Sequence, residues 1–160
     1  MKKYIGTKII KAEAMTRGEY NIKRGWKIPE NENPADKGFI VEYSDGYISW
    51  SPKKQFEEAY RQCDNMTFGL AIEALKKGLK VARKGWNGKG MYLWLLPENK
   101  IKKEWCRDER LIECFGESDE LLCLGSIRMY THDSTGRTAV LTGWLASQSD
   151  MLSEDWYIVE

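Results

Sequence analysis

The chain has 160 residues, of which 31% are charged and 42% apolar, and its formal net charge is +1. This composition is typical of a soluble globular protein, and no apolar run approaches the ~20 residues that a membrane helix needs. A nearly neutral chain is unlike a general nucleic-acid binder, so we expect no DNA or RNA polymer as a partner. The amino terminus leads into no apolar signal core, which predicts a cytoplasmic protein without a membrane partner.

Residues 1–62 are predicted to form a small β-rich module, to which the sequence assigns no role. Its strand-like runs are residues 8–12, 39–43 and 47–50. The Asp45-Gly46 pair between the last two runs supplies the positive φ angles of a tight hairpin turn. Ser51 followed by Pro52 predicts a cap and the first position of a short helix. The polar residues 61–65 mark the predicted boundary.

Residues 66–160 are predicted to form a second domain. Thr67 is a good cap for an amphipathic helix, which Gly78 ends. Residues 101–115 also have apolar side chains at roughly helical spacing and are predicted to be helical. The strand-like runs are residues 79–82, 91–96, 123–131, 138–142 and 156–159, with a turn at residues 133–136. Strands adjacent in sequence favour an α+β fold. We therefore expect a small antiparallel sheet with a leading helix, preceded by the β-rich module.

The run Arg83-Lys84-Gly85-Trp86-Asn87-Gly88-Lys89-Gly90 is the first candidate for a binding site. Its three glycines let the backbone approach a ligand and turn N–H groups towards it. Its cations suit phosphate, and the Trp86 indole offers a flat face for a base. The spacing matches neither a Walker loop nor a dinucleotide-binding fingerprint. The alternative is a glycine-rich hairpin turn with a tryptophan that only packs.

Residues 142–151 are the second candidate, because short polar side chains surround a tryptophan there. Trp144, Ser147, Gln148 and Asp150 are the residues expected to matter. Their donors and acceptors could read ribose hydroxyls or base edges within an apolar pocket. The alternative is a strand that passes into a loop, with Ser149 or Asp150 capping a short turn.

The sequence offers little for catalysis. Ser147 lies outside the Gly-x-Ser-x-Gly motif, and His132 is the single histidine available as a base. The four cysteines form no Cys-x-x-Cys pair and predict reduced thiols instead of a zinc site. Asp150, Glu154 and Asp155 could hold a divalent metal, although acids near a turn are usually caps or solvated charges. We predict no catalytic residue, no metal and no cofactor.

Two long motifs resemble those of the phage anti-Thoeris family of the second type. The first spans residues 66–91 and ends in Arg-Lys-Gly-Trp-Asn-Gly-Lys-Gly-Met. The second spans residues 144–156 and reads Trp-Leu-Ala-Ser-Gln-Ser-Asp-Met-Leu-Ser-Glu-Asp-Trp. The resemblance covers residues 66–160, within which residues 98–126 form a charged insert relative to the shortest members. Residues 1–62 lie outside it and look like a module often fused ahead of this domain in phage genomes.

The resemblance implies a protein that sequesters a nucleotide and catalyses no reaction. Members bind glycocyclic ADP-ribose, the cyclic signal made by bacterial TIR proteins after phage infection. They hold it intact, which keeps the Thoeris effector inactive in the cytoplasm of the infected host. Some members also hold cyclic oligonucleotide signals of CBASS immunity at separate sites. The family assembles as homotetramers, with the ADP-ribose pockets between protomers.

The resemblance also implies roles for particular residues. Trp86 would stack on the adenine, and Asn87, Trp144, Gln148 and Asp150 match positions of the family motifs. The complete set of predicted ligand-binding residues is Trp86, Asn87, Lys89, Tyr92, Trp144, Ser147, Gln148 and Asp150.

Two other functions remain open from the sequence. A metal-dependent phosphodiesterase acting on cyclic nucleotides would use Asp150, Glu154 and Asp155 as metal ligands. A protein-interaction module would use the seven tryptophans for contacts with a partner.

Overall fold

The structure, a computed structural model, describes residues 1–160. The chain divides into two compact units, Met1–Gln62 and Cys63–Glu160. All four cysteines are free thiols. None of the helices has the length and apolar character needed to cross a lipid bilayer.

The first unit is a three-stranded antiparallel sheet with two short helices. Its elements are β1 (Lys11–Ala14), α1 (Arg17–Lys23), β2 (Gly38–Glu42), β3 (Ile48–Pro52) and α2 (Lys53–Ala59). The strand order is β1-β2-β3, and Gly46 has the positive φ, +81°, that the predicted hairpin turn requires. Val41 of β2 is buried, and Phe39 stacks on Phe56 with ring centroids 4.1 Å apart. This stack holds α2 against the sheet.

The sequence analysis did not predict α1. Thr16 and Glu19 form a reciprocal capping box at its start, in which each side chain accepts a hydrogen bond from the other residue's backbone N–H. The first strand also begins at Lys11, three residues later than predicted. Pro52 is the cap residue of α2, and it makes no side-chain capping bond, so the cap predicted at Ser51 was placed one residue too early.

The second unit is built on a five-stranded antiparallel sheet with strand order β10-β4-β5-β8-β9. Its helices are α3 (Phe68–Lys76), α4 (Glu109–Glu113) and α5 (Gln148–Leu152). Its strands are β4 (Lys80–Arg83), β5 (Tyr92–Leu96), β6 (Asn99–Lys102), β7 (Glu120–Cys123), β8 (Ser126–His132), β9 (Thr138–Thr142) and β10 (Trp156–Val159). The predicted α+β class, with antiparallel sheets and a leading helix in this unit, is confirmed.

The core of this unit lies between α3 and one face of the sheet. The Thr67 side chain caps α3, as predicted, and Leu75 is the buried residue near its end. On the sheet, Val81, Leu93 and Trp156 are fully buried and belong to the same cluster. Side chains alternate between the faces of a strand, so the neighbours of Leu93 point to the opposite face.

The predicted helix over residues 101–115 was wrong. The segment begins in the two-stranded ribbon formed by β6 and β7 and continues through a 3-10 turn into the single-turn helix α4. Phe115 is buried, and Ile101 and Leu121 face each other across the ribbon, half-buried. The apolar side chains are thus partly covered in a ribbon and a short helix, and their periodicity could not distinguish this arrangement from one long helix.

Candidate functional site

A glycine-rich loop leaves β4 at residue 84 and returns to the sheet at β5. Gly90 has a φ of +73°, a conformation that side chains with a Cβ rarely adopt. No hydrogen bond within the chain engages the backbone N–H groups of residues 87–90. Lys89 is exposed, and its ammonium group forms no ion pair. The loop therefore presents free donors and positive charge to solvent.

Trp86 lies in this loop with its indole half-buried. Its ring meets Trp144 edge-on at 6.2 Å and Trp156 edge-on at 5.4 Å between centroids. The indole N–H donates a hydrogen bond of 2.9 Å to Asp150 Oδ1. One side of Trp86 thus rests on the core cluster, while the rest of the ring remains accessible. The orientation of the indole is fixed by one hydrogen bond and two aromatic contacts.

Asp150 is the centre of the hydrogen-bond network that holds Trp86. Its Oδ1 accepts from Trp86 and also from Arg83 Nη1 at 2.7 Å. Its Oδ2 accepts from both the backbone N–H and the hydroxyl of Ser147, at 3.0 and 2.7 Å. Asp150 is only 8% exposed. Both of its carboxylate oxygens accept hydrogen bonds from this chain, which leaves little of the carboxylate for a ligand.

Asp155 joins the same network from the other side of Arg83. Arg83 Nε donates to Asp155 Oδ1 at 2.8 Å, and the backbone N–H of Gly85 donates to Oδ2 at 2.7 Å. A Cβ added at Gly85 would lie 2.8 Å from that Oδ2. Two carboxylates therefore surround one guanidinium, and together they fix the start of the glycine-rich loop.

The network keeps both carboxyl groups ionised. Burial opposes the ionisation of Asp150, but the hydrogen bonds from Ser147, Trp86 and Arg83 outweigh it and lower its pKa. The hydrogen bond from Arg83 lowers the pKa of Asp155, helped by the Gly85 N–H. The same contacts with Asp155 and Asp150 raise the pKa of Arg83.

Ser147 is the cap residue of α5 and forms a capping box with Asp150. Gln148 follows it, exposed at the first position of the helix. Asn87 is also exposed, and neither of these two amide side chains makes a hydrogen bond within the chain. The donors and acceptors of both amides are therefore free of partners within the chain.

Tyr92, another predicted site residue, makes its aromatic contacts away from Trp86. It precedes the buried Leu93 in β5 and therefore lies on the sheet face opposite the core. There it stacks on Tyr130 with centroids 4.9 Å apart and planes inclined by 6°. The Lys80 ammonium lies over its ring at 5.2 Å.

A surface groove of about 590 Å³ lies on the first unit. It is lined only by charged side chains on and after α2, from Lys53 to Arg61. None of the predicted ligand-binding residues contributes to it. No group of three or more His, Cys, Asp or Glu side chains is arranged to hold a metal ion. The groove has no aromatic side chain on which a base could stack, so it is not part of the candidate site.

Arg83 was expected to add positive charge to an anion-binding loop, but its guanidinium is paired with Asp150 and Asp155. The structural role of Asp155 was not predicted from the sequence. The register between β10 and β4, which pairs Trp156 with Arg83, brings the adjacent Asp155 to this position. No local pattern in the sequence indicates that the last strand lies beside β4.

The second unit is thus an α+β domain that carries an anchored tryptophan beside a glycine-rich, cationic loop. A family model for the Thoeris anti-defense 2-like domain matches residues 66–159. A protein named Thoeris anti-defense 2, from Bacillus phage SP01, is 35% identical over 94 residues, which make up 59% of this chain and 94% of that protein. The chain belongs to the Thoeris anti-defense 2-like family, and the resemblance recognised in the sequence is confirmed.

Proposed function

We propose that this chain is a phage anti-defence protein that binds glycocyclic ADP-ribose and holds it intact. Membership of the Thoeris anti-defense 2-like family supports a role against Thoeris immunity. The observation that carries the proposal is the anchored, half-exposed Trp86 beside a loop with four unengaged backbone N–H groups. An aromatic face next to an anion-binding loop suits a ligand that combines a base with phosphates.

In this proposal the adenine stacks on the accessible face of Trp86. The N–H groups of residues 87–90 and the Lys89 ammonium bind the phosphates. Asn87 and Gln148, whose amides are free, bind ribose hydroxyls or base edges, and Trp144 forms a second aromatic wall. Asn87 and Lys89 belong to the loop that carries Trp86, and Gln148 lies at the start of α5, next to the Ser147–Asp150 capping box whose carboxylate accepts the indole N–H.

Ser147 and Asp150 act indirectly in this account. The Asp150 oxygens are occupied by Arg83, Trp86 and Ser147, so the carboxylate orients the indole instead of contacting the ligand. Tyr92 lies on the opposite sheet face of its own chain, so it reaches a Trp86 site only from another protomer.

The proposed activity is sequestration without chemistry. A phosphodiesterase would use Asp150, Glu154 and Asp155 to hold a metal. Two of these carboxylates are instead paired with Arg83 at 2.7 and 2.8 Å, and hydrogen bonds within the chain occupy the oxygens that a cation would need. This pairing favours a structural role for the acids over a metal site.

Sequestration also requires tight binding, because each site removes one signal molecule. One aromatic stack gives roughly 1–3 kcal/mol, whereas nanomolar affinity corresponds to about 12 kcal/mol. Several contacts must therefore converge on the ligand. A pocket shared between protomers of a homotetramer would gather them, and cyclic oligonucleotide signals of CBASS would occupy separate sites. We propose this assembly for action in the host cytoplasm.

The test is recovery of the ligand after binding. The protein is mixed with glycocyclic ADP-ribose, washed by ultrafiltration and denatured by heat, and the released nucleotide is identified by mass. The proposal predicts retention by the folded protein and release of the unaltered nucleotide. Recovery of a cleaved product, with turnover that a chelator abolishes, would establish the phosphodiesterase instead. If the nucleotide passes through the filter, the protein does not bind it and the proposal is wrong.

A further inference from the structure

The strand β9 forms a free edge of the five-stranded sheet. Its sequence, Thr-Ala-Val-Leu-Thr, contains no charge, proline or glycine, and Val140 and Leu141 are 50% and 48% exposed. Edge strands are usually protected from pairing with other chains by charges, prolines or bulges. Within its five residues β9 has none of these, so it is a template for another strand.

The opposite edge of the same sheet is protected. Met66 pairs with Trp156 of β10 through hydrogen bonds in both directions, and Ile158 donates its N–H to the carbonyl of Cys63. The segment before α3 therefore covers the β10 edge. The contrast singles out β9 as the edge that the fold leaves open.

The hydrogen-bond pattern shows which backbone groups of β9 face outwards. Asp133 N–H donates to Arg137 O across the turn that joins β8 and β9. Antiparallel pairs alternate between hydrogen-bonded and non-hydrogen-bonded, so residues 139 and 141 bond to β8. The N–H and C=O groups of Thr138, Val140 and Thr142 consequently point away from the sheet.

The sequence of β9 is nearly symmetric about Val140. An antiparallel copy related by a two-fold axis there would pair Val140 with itself, Thr138 with Thr142, and Ala139 with Leu141. Such a pairing is isologous and closed, because the same surface serves on both sides. The three outward-facing residues would form hydrogen-bonded pairs, with about six backbone hydrogen bonds in total.

We propose that β9 pairs with β9 of a second copy of this chain, which joins two five-stranded sheets into one continuous sheet. The symmetry of the strand and its lack of charge favour a second copy over an unrelated extended peptide.

The pairing has a consequence for the candidate site, which rests on the proposed function. Gly143 and Trp144 directly follow β9, and the same two-fold register places Arg137 of the partner subunit opposite Gly143. The Arg137 side chain is 81% exposed and held only by Asp133 within its own chain. The second copy thereby adds a guanidinium close to the residues that follow β9, next to the candidate site.

Two double variants of the full chain test the register. Thr138→Glu with Thr142→Glu places like charges opposite each other in both cross-strand pairs. Thr138→Lys with Thr142→Glu differs only at position 138 and places opposite charges there instead. Both positions are exposed, so both variants should fold, which circular dichroism checks.

Sedimentation velocity gives the assembly mass of each protein. The wild type is expected at twice the chain mass of 18.6 kDa or a higher even multiple. The like-charge variant is expected to associate about tenfold more weakly or worse, and the opposite-charge variant to recover the wild-type mass. A monomeric wild type would overturn the proposal, and so would equal masses for the two variants. A dissociated opposite-charge variant would exclude this antiparallel register.

Nucleotide binding measured on the same samples separates this inference from the proposed function. A wild type that assembles but retains no glycocyclic ADP-ribose contradicts the proposed function and leaves the strand pairing standing. A monomeric wild type that retains the nucleotide contradicts the strand pairing and the proposed homotetramer, and leaves nucleotide binding standing. If Arg137→Ala binds glycocyclic ADP-ribose with the affinity of the wild type, the Arg137 cation does not contribute to the site.

Discussion

At the residue scale, the position of Trp86 depends on a side chain that is 64 residues further along the chain. Asp150 receives the indole N–H and the Arg83 guanidinium on one oxygen and Ser147 on the other. Hydrogen bonds to an ionised acceptor are stronger than those between neutral groups. The ring is therefore held in one orientation within the chain, which would reduce the entropy that the proposed binding must overcome.

Gly85 is required at the start of the loop for reasons of space. In Gly85→Ala the new methyl group would lie 2.8 Å from Asp155 Oδ2 and 3.2 Å from Arg83 Nη2. We expect the displaced carboxylate to lower the free energy of unfolding by about 1–3 kcal/mol, as measured by urea denaturation.

Gly69→Ala is the matched control, because its Cβ would meet only Thr67 Oγ1 at 3.9 Å and the residue lies in α3. Alanine there should be neutral or stabilising by up to about 1 kcal/mol. Equal effects of the two substitutions would show that the Gly85 contact does not constrain the loop.

At the element scale, the elements with strong local signals were the ones that the sequence predicted well. The Thr67 cap and Gly78 bounded α3, and Gly46 marked the hairpin turn in the first unit. The capping box at Thr16 was an available signal for α1 that the analysis overlooked. For residues 101–115 the helical spacing of apolar side chains was misleading, because the start of the segment pairs with β7 in a ribbon.

The candidate site also contains residues that a local motif groups together and residues that only long-range strand pairing brings together. Trp86, Asn87 and Lys89 share one local motif, so the sequence could group them. The clustering of Arg83 with Asp155 depends on the pairing of β4 with β10, which is a long-range property. The face of Tyr92 depends on which side of β5 meets α3. Neither can be deduced from a local pattern.

The helix α5 carries the second half of the site, and its capping residue can be tested. Ser147→Ala removes the hydroxyl that accepts from the Asp150 N–H and donates to Asp150 Oδ2. We expect a loss of about 1–2 kcal/mol in the free energy of unfolding.

The control for this substitution is Ser149→Ala, two residues along the same helix, where the side chain makes no hydrogen bond within the chain. Urea denaturation compares both variants with the wild type. A loss no greater than that of the control would mean that the capping box contributes nothing to α5.

At the scale of the whole molecule, two compact units with separate sheets share one chain, and the family match covers only the second. The first unit has its own buried residues, Tyr20 and Val41, and its own ion pair between Arg17 and Glu32. The second unit contains the proposed nucleotide site and the open edge of β9. We therefore propose that residues 66–159, which match the family model, carry the anti-defence activity.

Acid should destabilise the second unit. The pKa values of Asp150 and Asp155 are lower in the folded protein than the ordinary value of 3.8. Their ionised forms therefore add stability above that value, and the contribution is lost as the pH falls below about 4. Thermal denaturation followed between pH 7 and pH 2.5 measures the effect.

Asp150→Asn supplies the comparison for the acid experiment, since an amide cannot ionise. Its melting temperature should be lower than that of the wild type at pH 7, and the difference should shrink as the pH falls. A constant difference across the whole range would show that the charge of Asp150 does not stabilise the fold.

Isothermal titration of Trp86→Ala with glycocyclic ADP-ribose tests the proposed binding of this nucleotide against the indole. Trp105→Ala is the matched control, because that indole is 64% exposed on the ribbon insert. Loss of the stack should weaken binding by roughly 1–3 kcal/mol, about ten- to a hundredfold, while the control binds as the wild type does. Wild-type affinity in a folded Trp86→Ala variant would contradict the account.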